Sequence, residues 1–135
     1  MKREFSKLSN EVIGAAIEVH KNLGPGLLES TYQQCLAHEL KLRQIKFETE
    51  RSLPVEYKGM RLDCGYRIDM FIEKQIILEL KSVEQWKGIH EAQLLTYMKL
   101  ANIKQGFLIN FNVKLLVSVH AHIVISTEGR NLKCP

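Results

Sequence analysis

Cysteine is scarce and badly placed for cross-linking. Cys35, Cys64 and Cys134 are an odd set, far apart, with no C-x-x-C pair. That argues against a disulfide framework or a thiolate zinc site and favours reduced thiols in a cytoplasmic protein. Proline is limited to three residues and glycine to eight, and no linker or low-complexity segment divides the chain. No hydrophobic run approaches the ~20 residues needed to span a bilayer, so no membrane partner is expected. The opening residues, Met1-Lys2-Arg3-Glu4-Phe5-Ser6, have no apolar stretch behind their charges and do not read as a secretory signal. No run of Lys or Arg exceeds two residues, which excludes a basic tail.

What remains is ordinary for one compact soluble domain. The 135 residues are 45% hydrophobic and 25% charged, enough apolar surface to fold without a metal or disulfide staple. The net charge of +4 suits a nucleic-acid partner and equally suits solubility alone.

Periodicity places two helices first. Val12, Ile13, Ala16, Ile17, His20 and Leu23 recur on one face of a helix from about Ser9 to Leu23, which Gly24-Pro25-Gly26 ends. Leu28, Tyr32, Cys35, Leu36 and Leu40 trace a second, from about Leu28 to Leu42. Short strand signals follow at Phe47 to Arg51, Val55 to Tyr57 and Met60 to Leu62, with a hairpin expected around Lys58-Gly59. Tyr66 to Glu73 and Gln75 to Val83 read as longer strands turning at Glu73-Lys74. A helix from Ile89 to Ala101, on Ile89, Ala92, Leu94 or Leu95, Met98 and Leu100, precedes strands at Gln105 to Phe111 and Lys114 to Val119. The order implies one α/β domain over residues 1–118 with a mixed sheet. Residues 119–135 read as an atypical, irregular C-terminal extension, in which His120 and His122 lack a third metal ligand nearby.

The chemistry gathers on two strands. Alternation puts Ile68, Met70 and Ile72 on one face and Asp69 on the other; on the next strand Glu79 and Lys81 oppose Ile76, Leu78 and Leu80. A hairpin near Lys74 brings Asp69 opposite or diagonal to Glu79. Burying an unpaired carboxylate costs on the order of several kcal/mol, and Lys81 offsets only one of the two. A divalent cation balances the rest: two carboxylates, water and a backbone carbonyl are hard oxygen ligands for Mg²⁺ or Mn²⁺. The plain alternative is a solvated strand face, on which Glu-x-Lys is common.

Asp69, nine residues and then Glu79-Leu80-Lys81 resembles the PD-(D/E)xK nuclease signature, with Ile68 in place of its proline. Gly26-Leu27-Leu28-Glu29-Ser30-Thr31-Tyr32 follows the pattern G-x-x-E-x-x-Y. Gln93-Leu94-Leu95-Thr96-Tyr97 and Gly106-Phe107-Leu108-Ile109-Asn110-Phe111 follow in the right order. Together, from about Leu8 to Phe111, they resemble the GxxExxY protein family, a branch of the PD-(D/E)xK superfamily. The resemblance implies a restriction-endonuclease-like core, a central mixed β-sheet flanked by helices. It implies Asp69 and Glu79 as the metal-binding acidic pair, Lys81 as the catalytic lysine, and Glu29 reaching the site from the preceding helix. Gln93 and Tyr97 match polar positions beside the site. Tyr32, like Tyr97, also reads simply as a core tyrosine with its hydroxyl at the rim. The basic pair that the family carries after its last strand is missing here.

The expected activity is a Mg²⁺- or Mn²⁺-dependent phosphodiesterase acting on nucleic acid, DNA first. Asp69, Glu79 and the Leu80 carbonyl would hold the ion, with Glu29 directly or through water, and Lys81 would position a water or neutralise charge. No helix-turn-helix, zinc finger or aromatic stacking platform is visible, so no strong sequence specificity is expected. Two alternatives use the same fold. One is a non-catalytic nucleic-acid-binding module. The other is a protein-interaction or homo-oligomer subunit docking through the apolar run from Phe107 to Val117.

Overall fold

Gly24 and Gly26 adopt φ of +72° and +98°, conformations that side chains resist, and there the chain leaves its first helix for its second. The computed structural model describes residues 7–85, 87–114, 123–127 and 130–133. Helix α1 spans Lys7–Leu23 and α2 spans Glu29–Leu42. The buried stripe of α1 runs through Val12, Ala15, Ala16, Val19 and His20. It is turned slightly from the expected one: Ala15 and Val19 lie inside, while Leu23, the last helical residue, is exposed. Leu28 also lies outside its helix, as the exposed N-cap of α2.

Strands β1 (Phe47–Ser52), β2 (Val55–Tyr57), β3 (Met60–Leu62), β4 (Arg67–Ile72) and β5 (Ile76–Lys81) follow. Two tight turns set their pairing. Lys58 and Gly59 both have positive φ, as do Glu73 and Lys74. The first is a two-residue hairpin loop, whose twist matches the strands it joins; the second has three residues, Glu73, Lys74 and Gln75, between the paired Ile72 and Ile76. Helix α3 (Gly88–Ala101) ends on Asn102 in the left-handed conformation and leads to β6 (Gln105–Asn110). Strands β7 (Ile123–Thr127) and β8 (Arg130–Lys133) pair antiparallel, where the sequence suggests an irregular end. From residue 115 onward the expected strand over Lys114 to Val119, with His120 and His122, lies outside the described residues.

The main sheet has the order β1-β4-β5-β6-β7-β8; β2 and β3 form a separate two-stranded sheet. Among the described strands only β5 and β6 pair in parallel, as a strand–helix–strand crossover through α3 requires. Each face of the sheet has its own core. Met70, Ile72, Ile76, Leu78, Leu80 and Phe107 pack with α1 and α2. Ile77, Phe71 and Leu108 pack with Leu94, Tyr97 and Met98 of α3. The inner line of α3 thus differs from the expected one: Ile89 and Ala92 are exposed. Gly106 explains the fit, because a Cβ there would stand 2.8 Å from the Met98 sulfur. Strand β6 lies inside the sheet, with Phe107, Leu108, Ile109 and Phe111 buried, so these residues serve the chain's own core rather than an interface.

Candidate active site

The regular alternation of β4 fails at Asp69. Met70 and Ile72 belong to the core under α1 and α2, but Ile68 packs with Phe71 and Ile77 on the α3 side. The expectation that Ile68, Met70 and Ile72 share a face is therefore corrected. The cause is a kink shared with β1. Thr49 pairs with Met70 and Arg51 with Ile68, but Glu50, at φ +53°, makes no ladder pair with Asp69. On the other side, the β4–β5 ladder runs only from Ile72–Ile76 to Met70–Leu78. Asp69 thus sits where both of its neighbouring ladders lapse.

Side chains fill the gap. Glu79 Oε2 accepts the Asp69 backbone N–H at 3.0 Å, and Asp69 Oδ2 accepts the Leu80 N–H at 2.8 Å. The acids are brought together as the register implies. Glu79 is buried and Asp69 half-buried. Burial, then repulsion from Asp69, pushes the Glu79 carboxyl up to about 8, against the opposing pull of its backbone bond and Lys81. Burial raises Asp69 as well; the Leu80 N–H and Lys81 oppose this, while Glu50 and Glu29 add to it. Lys81, the neighbour of Asn110 in the β5–β6 ladder, is half-buried and acts on both acids through space.

Glu29 arrives from α2. It is the first residue of that helix, and its Oε2 accepts the Ser82 N–H at 3.2 Å, just past Lys81. Glu29, Ser30, Gln33, Glu50, Asp69 and Leu80 line a cleft of about 210 Å³. Tyr97 lies on the α3 side, within the electrostatic reach of Glu79 and Asp69; burial raises its phenol pKa, and Gln93 Nε2 donates to its hydroxyl at 3.0 Å. Tyr32 does not join the cluster. It is fully buried, stacked on Phe111 with ring centroids 4.4 Å apart, and its hydroxyl donates to Gly24 O and accepts from Leu27 N–H. It braces the turn that leads into Glu29.

Three neighbours escape the sequence reading. Gln33 Nε2 donates both to Glu50 Oε2 at 2.9 Å and to Asp69 O at 2.8 Å. It follows Glu29 by four residues, so a shared helix face was the available signal. Glu50 needed the β1–β4 register. Asn110 clasps Val83 through both its N–H and its C=O, fixing the loop after Lys81; only the fold brings these together.

The donor set suits a hard divalent ion only in part from side chains. Among the described residues no group of three His, Cys, Asp or Glu side chains is placed to hold a metal. Two adjacent acids, a strand carbonyl and water make up the difference for an ion such as Mg²⁺, which keeps several of its waters. The raised pKa of Glu79 reflects burial first and repulsion from Asp69 second.

A family model described as the PD-(D/E)XK nuclease superfamily matches residues 6–122. No curated protein and no solved structure gives a match. The mixed sheet between helices agrees with the restriction-endonuclease-like fold of that superfamily. No helix among the described residues is long and apolar enough to cross a membrane.

Proposed function

The chain belongs to the PD-(D/E)XK nuclease superfamily, and from that membership we propose that it is a divalent-metal-dependent nuclease, with DNA as the first substrate to test. Nuclease activity and a nucleic-acid substrate are what the superfamily suggests, and its members generally use divalent ions such as Mg²⁺. The observation that carries the reading is the pair of half-buried Asp69 and buried Glu79, mutually repelling and beside Lys81.

In this reading Asp69, Glu79 and the Leu80 carbonyl would hold Mg²⁺ or Mn²⁺, with Glu29 directly or through water. The ion, when bound, supplies a more acidic water and a polarised phosphate. The other work belongs to the chain. Lys81 orients the attacking water and offsets charge on the phosphate as the new P–O bond forms and the ester bond breaks. Gln33 fixes the Asp69 carbonyl and restrains Glu50. Tyr97 and Gln93 close the α3 side. Surface Lys and Arg side chains hold the backbone, giving salt-sensitive binding.

The G-x-x-E-x-x-Y pattern supports placement in the GxxExxY branch. Gly26 supplies a positive φ, Tyr32 ties Gly24 to Leu27, and Glu29 and Leu27 both meet Ser82 after Lys81. The pattern thus docks one carboxylate beside the lysine strand.

The test is cleavage of labelled single- and double-stranded DNA and RNA with Mg²⁺ or Mn²⁺. Metal-dependent cleavage that chelation abolishes and Lys81→Ala reduces about 10²-fold or more supports the proposal. No cleavage of any substrate, or equal cleavage by Lys81→Ala, rejects it.

A further inference from the structure

The β2–β3 hairpin leaves an apolar face open to solvent. Val55 faces Leu62 and Tyr57 faces Met60 across it, and opposed residues share a face of a sheet. These four apolar side chains therefore form one surface. Tyr57, Met60 and Leu62 are 58%, 53% and 40% exposed. Glu56 and Arg61, on the other face, are ion-paired at 3.3 Å with side chains 70% and 69% exposed, at the edge of a cavity of about 270 Å³ that Leu53, Phe71 and Leu100 also line.

Two further observations say what the outward face meets. The first is charge: the Lys58 ammonium lies 5.3 Å from the centre of the Tyr57 ring, and Arg67, at the start of β4, is 43% exposed along its side chain and 4.0 Å from the Asp63 carboxylate. The second is continuity with the acidic cleft. Tyr66, 44% exposed, meets the ring of Tyr97 edge-on at 6.1 Å, and Tyr97 senses the charges of Glu79 and Asp69. Tyr66, four residues beyond the end of the hairpin at Leu62, thus joins this part of the chain to the candidate active site.

We propose that this hairpin is a platform for single-stranded nucleic acid, with unpaired bases stacking on Tyr57 and Tyr66 and phosphates meeting Lys58 and Arg67. Every base offers a π-face, and stacking on aromatic rings combined with backbone contacts is how unpaired strands are held without sequence reading. A duplex keeps those faces hidden and gains little from exposed tyrosine, methionine and leucine. The platform was invisible in the sequence because Tyr57 and Tyr66 are separated by the hairpin and a loop. The proposal rests on the nuclease reading for its biological sense and deepens it by naming the substrate form.

Fluorescence anisotropy with chelator present measures binding without metal-dependent turnover. The probes are a labelled oligothymidine of about 15 nucleotides, an abasic strand and a duplex of the same length. The expected result is tightest binding to the oligothymidine, weakened about five- to tenfold by Tyr57→Ala and kept by Tyr57→Phe. Tyr57 is exposed, so the variants should fold; circular dichroism checks this. No binding, equal binding of abasic or duplex probes, or indifference to Tyr57→Ala overturns the platform. So does light scattering in which Tyr57→Ala converts a dimer to a monomer without changing oligonucleotide binding, which would assign the face to a second copy. Cleavage is measured separately with Mg²⁺. Tyrosine-dependent binding without cleavage removes the nuclease reading and leaves the platform; cleavage with tyrosine-independent binding does the reverse.

Discussion

Glu79 accepts the backbone N–H of Asp69 at 3.0 Å, while Asp69 accepts the N–H of the next residue along, Leu80, at 2.8 Å. The two acids stitch together the stretch of the β4–β5 ladder that backbone pairing leaves open. Each bond favours the ionised form of its carboxylate, yet burial outweighs it at both residues. The fold thus holds two acids where proton or cation uptake relieves their repulsion.

Asp69→Asn should therefore stabilise the metal-free protein. The amide oxygen still accepts the Leu80 N–H, while the like-charge repulsion on Glu79 disappears. At pH 8 in chelator, Tm should rise by a few degrees. The same substitution should abolish cleavage and most of the Tm increase that saturating Mg²⁺ gives the native protein. Gain of stability with loss of metal response is the signature sought; a fall in both would mean that Asp69 is structural.

The pH dependence follows from Glu79. Its pKa rises from 4.5 to about 8 on folding. Between those values the folded state holds a proton that the unfolded state has lost, so stability falls as pH rises through the window. In chelator, Tm should decline from pH 5 to pH 8.5 by several degrees, and Glu79→Gln should flatten that slope. Because a divalent ion competes with the proton, Mg²⁺ stabilisation should grow over the same range. Thermal melts with and without Mg²⁺ measure both slopes.

Tyr32→Phe tests the brace before Glu29. It removes the bonds to Gly24 O and Leu27 N–H while keeping the stack on Phe111. The cost should be about 1–2 kcal/mol, seen as a fall in Tm of roughly 5 °C. Cleavage should fall at temperatures where the variant is fully folded, because the turn carrying Glu29 and Leu27 to Ser82 loosens. Unchanged cleavage by the folded variant would make the tyrosine a packing residue alone.

Much of this was legible from local pattern. The hairpins at Lys58-Gly59 and Glu73-Lys74 follow from residues that interrupt alternating strands, and the Asp69–Glu79 juxtaposition follows from the second turn. Alternation misplaced Ile68 because it assumes an unbroken ladder, and the kink at Glu50 depends on pairing between distant segments. The α3 stripe was misjudged for a related reason. Its inner line is chosen by the space above Gly106, a residue on another strand. Gln33 was recoverable from helix spacing, whereas Glu50 and Asn110 reach their places only through sheet register.

Asn110 offers the sharpest test of how Lys81 is held. Its side chain accepts the N–H groups of Val83 and Asn112 and donates to Val83 O, and Phe111 N–H donates to Lys81 O at 2.9 Å. Asn110→Ala strips three bonds from a buried position and takes the side-chain partner from the N–H groups of Val83 and Asn112 and from Val83 O, a loss of about 2–3 kcal/mol. The Val83 amide should exchange with solvent faster than in the native protein, while amides of Met70 and Leu78 in the sheet keep their protection relative to global stability. Cleavage should drop about tenfold, through kcat more than KM, because the change acts on the loop that follows Lys81 rather than on substrate contacts. Asn110→Asp keeps the two acceptor bonds but loses the donor to Val83 O, so it should fall between the two. If both variants fold and cleave as the native chain does, the clasp on Val83 has no part in setting the lysine.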